Sequence, residues 1–198
     1  ALSKPFNGVT ASNSPGVYIS TDDGLNWTDV TPSTYPSLPG RPVIGISESD
    51  PSIFYVFVAN NTNQPALYYF DISDLNEVVT EDRTDNIPYF GSPVGYLNLQ
   101  GGYNMVCEVH PSDPNFLIIG GTNLLRSTDG FANSPVDLNQ DGITDETELG
   151  KYWIGGYSVS NDISQYPKHH PDQHAIIFDP NVNNKVISGH DGDRKSVV

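Results

Sequence analysis

A chain of 198 residues carrying 9 basic against 24 acidic side chains, a formal charge of −15, repels polyanions, which excludes nucleic acid and anionic membrane surfaces as partners. Eighteen Gly, sixteen Pro and 11% aromatics with only 17% charged residues describe a turn-rich sheet protein rather than a disordered tail. No run reaches the roughly 20 apolar residues of a membrane span, and the single Cys107 permits no internal disulfide, reading as a small buried hydrophobe.

In chain order, the first strong signal is Ser20-Thr21-Asp22-Asp23-Gly24-Leu25-Asn26-Trp27, which fits S-x-D-x-G-x-x-W. The pattern predicts a tight hairpin: Asp22 accepts turn N–H bonds, Gly24 supplies positive φ, and Trp27 folds back as an apolar plug. Short runs rich in Val, Ile, Tyr and Phe then predict strands at 43–47, 53–59 and 66–70. A second set follows at 104–110, 116–121 and 124–127, and a third at 174–179 and 185–189. No stretch offers a helix longer than a turn or two. The runs repeat: Ser49-Asp50-Pro51 stands 63 residues before Ser112-Asp113-Pro114, and Asp179-Pro180 stands 69 residues after His110-Pro111. The hairpin signal recurs in degraded form. Asp71-Ile72-Ser73-Asp74 lacks its Gly and Trp, and Ser127-Thr128-Asp129-Gly130-Phe131 carries Gly one position early.

These residues resemble the Asp-box, or BNR, repeats of sialidases, sortilin-type receptors and xyloglucanase-like hydrolases, which are β-propellers. The resemblance implies an all-β fold, part of a propeller of about three four-stranded antiparallel blades from a ring of about seven, with Ser20, Asp22, Gly24, Trp27, Ser127 and Asp129 as structural box residues. Residues 1–35 then end one blade, 40–100 form the next, 101–168 a third with an insertion, and 169–192 begin a fourth. It also implies a secreted or cell-surface bacterial protein whose further blades or domains belong to the same polypeptide. The last six residues, Asp193-Arg194-Lys195-Ser196-Val197-Val198, match the translation of a common sequencing adapter and are expected to be a non-native tail.

The insertion, Asp137-Leu138-Asn139-Gln140-Asp141-Gly142-Ile143-Thr144-Asp145-Glu146-Thr147-Glu148, satisfies D-x-[DN]-x-[DN]-G-x5-E. Calcium takes six to eight hard oxygens, and this spacing offers side chains of Asp137, Asn139, Asp141 and Asp145, the Ile143 carbonyl and a bidentate Glu148. With Ser134-Pro135 in front and no amphipathic helix leading in, the loop resembles the extracellular calcium loops of dockerins and thrombospondin type 3 repeats. A structural staple is expected; an acidic, solvated insertion is the plain alternative.

His169-His170-Pro171-Asp172-Gln173-His174, followed by His190-Asp191, gathers four of the five His. If the segment is extended, His170, Asp172 and His174 share a face, and His174 stands near His190 across the hairpin. Propeller topology puts this cluster on the rim opposite the boxes and the calcium loop, the rim at which propeller proteins generally bind. His170, Asp172, His174, His190 and Asp191 are therefore candidate ligand-rim residues, with hydrogen bonding at the channel mouth as the plain alternative and a zinc site at His170, Asp172 and His174 as a third. The expected function is an extracellular module that binds glycan or protein. The alternative is a glycoside hydrolase of the xyloglucanase-like type, with Asp172 and Asp191 as candidate catalytic carboxylates. Sialidase chemistry is disfavoured, because outside the tail the only arginines are Arg41, Arg83 and Arg126, where that site needs three around one carboxylate.

Overall fold

The computed structural model of the protein describes residues 15–88, 97–135, 152–158, 164–165, 169–182 and 184–191. Among these the chain is all-β, with two single 3-10 turns at Thr84–Asn86 and Gln100–Gly102 and no helix long and apolar enough to cross a membrane. A two-stranded ladder, β1 (Tyr18–Ile19) with β2 (Thr28–Asp29), leads into a four-stranded antiparallel meander of β3 (Pro42–Ile46), β4 (Ile53–Ala59), β5 (Pro65–Asp71) and β6 (Val79–Asp82). A second meander comprises β7 (Val106–His110), β8 (Asp113–Gly120), β9 (Leu124–Ser127) and β10 (Trp153–Gly155). A short ladder, β11 (Tyr157–Ser158) with β12 (Ser164–Gln165), precedes the hairpin β13 (Gln173–Phe178) and β14 (Val186–His190). The expected strands are present. β6 and β10 complete the two meanders from sequences with little apolar alternation, Val79-Thr80-Glu81-Asp82 being exposed throughout.

The turns joining first to second strands explain the sequence repeat. Asp50 Oδ1 accepts from Ser52 N at 3.1 Å, Asp113 Oδ1 from Asn115 N at 2.9 Å, and Asp179 Oδ1 from Asn181 N at 2.8 Å. Each is an Asp-Pro step in which the carboxylate mimics a backbone acceptor two residues on. Asp179 therefore repeats Asp113, a spacing of 66 residues, rather than repeating His110.

The inner strands of each meander are covered on both faces, so they read as continuous apolar runs instead of alternating ones, while β6 and part of β3 stay exposed. All seven residues of β4 are buried. Tyr55 and Phe57 pack with Cys107, Val109, Leu117, Ile119 and Leu125 of the second meander. Phe54, Val56 and Val58 turn the other way, onto Val17 and Tyr35. The far face of the second meander places Val106, Ile118 and Leu124 on Ile176 and Phe178 of β13. Each fully buried large apolar side chain contributes about 1.5–3 kcal/mol, so the stacking of sheets rather than any one sheet is what holds the molecule together. First strands abut: β3 lies on β7 and β7 on β13. At Gly45 a Cβ would stand 3.0 Å from both the carbonyl oxygen and Sγ of Cys107, so glycine permits the approach. Burial pushes the Cys107 thiol well above its usual range and leaves it an inert packing group.

The β1–β2 hairpin and the β9–β10 connection share one skeleton. Ser20 Oγ donates to Asp22 Oδ1 at 2.9 Å and accepts from Gly24 N at 2.9 Å, while Asp22 receives Asn26 N at 2.8 Å and Asn26 Nδ2 at 2.5 Å. Ser127 Oγ donates to Asp129 Oδ1 at 2.5 Å and accepts from Phe131 N at 2.9 Å, and Asn133 Nδ2 donates to Asp129 at 2.8 Å. Phe131 thus occupies the place of Gly24. Both skeletons need two successive positive φ angles, at Asp23 (58°) and Gly24 (86°) and at Gly130 (64°) and Phe131 (58°), so a glycine at either position satisfies half of the demand. In the second hairpin it must stand first, because a Cβ at Gly130 would overlap the Tyr55 hydroxyl. Trp27 departs from the expected plug. It folds back to donate from Nε1 to Gly24 O at 3.1 Å, yet is 62% exposed. The plug of the second hairpin is Phe131, fully buried.

Candidate functional site

Antiparallel alternation sends the Asp-Pro turns and the serine–aspartate hairpins to one end of the stacked sheets. The β4–β5 and β8–β9 turns, with the loops entering each first strand, go to the other. The calcium-type segment 137–148 lies outside the described residues, as do 192–198; its flanks, Pro135 and Tyr152, belong to the first end. At the second end a chain of backbone bonds joins four segments: Thr122 N to Asn98 O at 2.8 Å, Asp172 N to Thr122 O at 3.1 Å, Gln173 N to Gly121 O at 2.9 Å and Asp191 N to Asp172 O at 3.2 Å. The loop before β7, the β8–β9 turn, the approach to β13 and the exit of β14 are thereby locked together.

On this base the His/Asp residues assemble, though not as an extended strand would arrange them. Asp172 has φ 66°, and β13 begins only at Gln173, so His170, Asp172 and His174 diverge. The Asp172 carboxylate turns back and accepts from Gln100 Nε2 and Asn104 Nδ2, both at 2.8 Å. With both contacts donors, Asp172 serves as an acceptor that ties the loop before β7 to the approach to β13. His170 Nδ1 lies 3.0 Å from Pro171 O, and its ring stacks 5.9 Å from that of His190. His174 sits in the bulge between Gln173 and Ala175, so Gln173 and not His174 stands opposite His190. Its Nε2 meets Asp191 Oδ1 at 2.6 Å, and Tyr103 meets its ring edge-on at 4.8 Å. His190 instead pairs with His169, ring centroids 4.9 Å apart. Burial, then the neighbouring His190, holds the His169 imidazole below its usual value of 6.5. The three-ligand zinc arrangement is not formed, and among the described residues no group of three or more His, Cys, Asp or Glu is disposed to hold a metal.

Several residues of this end were not foreseen from sequence. Gln100, Tyr103, Asn104, Asn123 and Gln173 are polar positions flanking apolar runs, which read only as loop or strand boundary. Asn104, Asn123 and Gln173 have no exposed surface. Asn123 Oδ1 accepts from Tyr157 N at 2.7 Å, and Gln173 Nε2 donates to His170 O at 2.8 Å. Asn104 Oδ1 and Gln173 Oε1 are buried with no hydrogen-bond partner among the described residues, an unusual condition for amide oxygens. The signal available was a lone Asn or Gln at the lip of a buried strand, where a polar side chain has a cost unless it organises neighbouring loops. Comparison with known proteins gives no match to a family model, a curated protein or a solved structure.

Proposed function

We propose that the chain is a run of wedges from an Asp-box β-propeller, extracellular, whose rim at Tyr103, His174 and Asp191 binds glycan, with calcium held in 137–148 as a structural staple. The observation that carries the circular arrangement is the abutment of first strands, β3 on β7 on β13, with sheets stacked face to face behind them. Ile177 and Ile187, 51% and 49% exposed, form the apolar face of β13–β14 that a further wedge would cover. The binding reading is supported by an exposed aromatic, Tyr103, beside a hydrogen-bonded His174–Asp191 pair, a combination able to stack on a sugar ring and grip its hydroxyls.

Hydrolysis is the second reading, and the His174–Asp191 pair is what favours it. Neutral and acidic oligosaccharides presented to the full chain decide between them. Binding that Tyr103→Ala or Asp191→Asn weakens tenfold or more, without release of reducing ends, is the expected result. Release abolished by Asp191→Asn makes the chain a hydrolase, and the absence of any carbohydrate binding overturns the glycan reading. Chelator should lower the melting temperature and leave rim affinity unchanged; an unchanged melting temperature removes the calcium staple.

A further inference from the structure

A cavity of about 420 Å³ opens at the same end as the His/Asp rim, one sheet earlier. It lies among the loop leading to β3, the β4–β5 turn and the exit of β6, and Thr34, Asn60, Asn61, Asp82, Thr84 and Asp85 are among its lining residues. Its size falls within the roughly 300–1,000 Å³ of small-ligand sites. The walls are set by bonds within the β4–β5 turn and between it, β5 and the loop leading to β3. Asn60 Oδ1 accepts from Thr62 N and Gln64 N, both at 2.9 Å, fixing the turn. Asn61 Oδ1 accepts from Leu38 N at 3.0 Å, fastening that turn to the preceding loop. Tyr68, 2% exposed and also lining the space, donates to Thr34 O at 2.8 Å. Asp82 spends Oδ1 on Thr84 N at 3.0 Å, whereas Asp85 makes no hydrogen bond to any described residue and is exposed. The lining thus holds hydroxyls, amides and two carboxylates, and no Lys, Arg or His.

We propose that this cavity is a saccharide subsite that selects neutral sugar units over acidic ones, with Asp85 the principal hydroxyl acceptor. The inference rests on the glycan reading above and names the class of glycan. Carboxylate, amide and hydroxyl groups match the donors and acceptors of adjacent sugar hydroxyls. A uronate or sulfated unit would meet two like charges with no cation to offset them, in a chain of formal charge −15.

The test is titration calorimetry of the full chain with matched neutral and uronic-acid oligosaccharides. Asp85→Asn probes the acceptor, and Thr62→Trp, on an exposed turn residue bordering the cavity, blocks it without touching the core. Wild type should prefer the neutral ligand. Thr62→Trp should weaken it tenfold or more, and Asp85→Asn should both weaken it and narrow its advantage over the uronic ligand. If neutral ligands bind but both variants bind as wild type while Tyr103→Ala does not, or if uronic ligands bind better, the cavity assignment is overturned and the glycan reading stands. If neither class binds at all, the glycan reading itself fails and takes the cavity with it.

Discussion

At Ser20 the hairpin closes beside a tryptophan that stays 62% exposed, whereas at Ser127 the same serine, aspartate and asparagine bonds close around a phenylalanine with no exposed surface. The first skeleton is built from residues no more than four apart. The second is also held from outside. Arg83, 6% exposed on the preceding sheet and stacked 4.0 Å over Tyr69, donates to Gly130 O at 2.9 Å, and Asn86 Nδ2 donates to Phe131 O at 2.8 Å. Hydrogen bonds from Asn26 and Ser20 hold the Asp22 carboxyl below its usual value. For Asp129 burial pushes upward, but the bonds from Ser127 and Asn133 outweigh it, and its carboxyl too lies low. The comparison separates what a motif does alone from what it does when a neighbour covers it.

Removing the two aromatics should separate the hairpins most. Phe131→Ala should cost about 3–5 kcal/mol in urea unfolding, and Trp27→Ala about 0.5 kcal/mol. Because Phe131 sits at φ 58°, Phe131→Gly should recover about 1 kcal/mol relative to Phe131→Ala despite removing more atoms. Equal losses at 27 and 131 would show that burial does not distinguish the hairpins. Next in size, Ser127→Ala strips the acceptor from the buried Phe131 N–H and should cost about 1–3 kcal/mol, whereas Ser20→Ala leaves Gly24 N to water and should cost about 0.5 kcal/mol.

The smallest effect is one of pH, and it sets the serine–aspartate hairpins against the His/Asp cluster. His169 is held below 6.5, so as pH falls through that value the unfolded chain takes up a proton that the folded chain refuses, and stability declines. His169→Gln should flatten a melting-temperature profile in that window. Asp22 and Asp129 act in the lower one: their low folded values stabilise the molecule above 3.8, and that contribution is lost as pH falls through those values. A profile flat between pH 7 and 5 in wild type would remove the role given to His169.

The strands and turns were readable because their causes are local. Seven apolar residues from Ile53 to Ala59 between an Asp-Pro step and an Asn-rich turn admit little besides a buried strand. The degraded second hairpin was harder, since reading Gly130 as misplaced overlooks that two adjacent positions share the positive φ. The His/Asp cluster was legible in composition and not in geometry. Four clustered His mark the region, but the assumption of an extended 170–174 fails at Asp172, which leaves the strand to reach Gln100 and Asn104 some seventy residues earlier.

Sequence alone determined the all-β class, the places of the turns and the serine–aspartate skeleton, because each depends on φ preferences and on bonds between residues a few positions apart. Tertiary structure alone decided that Phe131 is a plug and Trp27 is not, that Asp172 is an anchor between loops, and that a polar cavity lies beside Asp85. Those outcomes depend on which sheet packs against which, and burial and long-range hydrogen bonding exist only once the sheets have stacked.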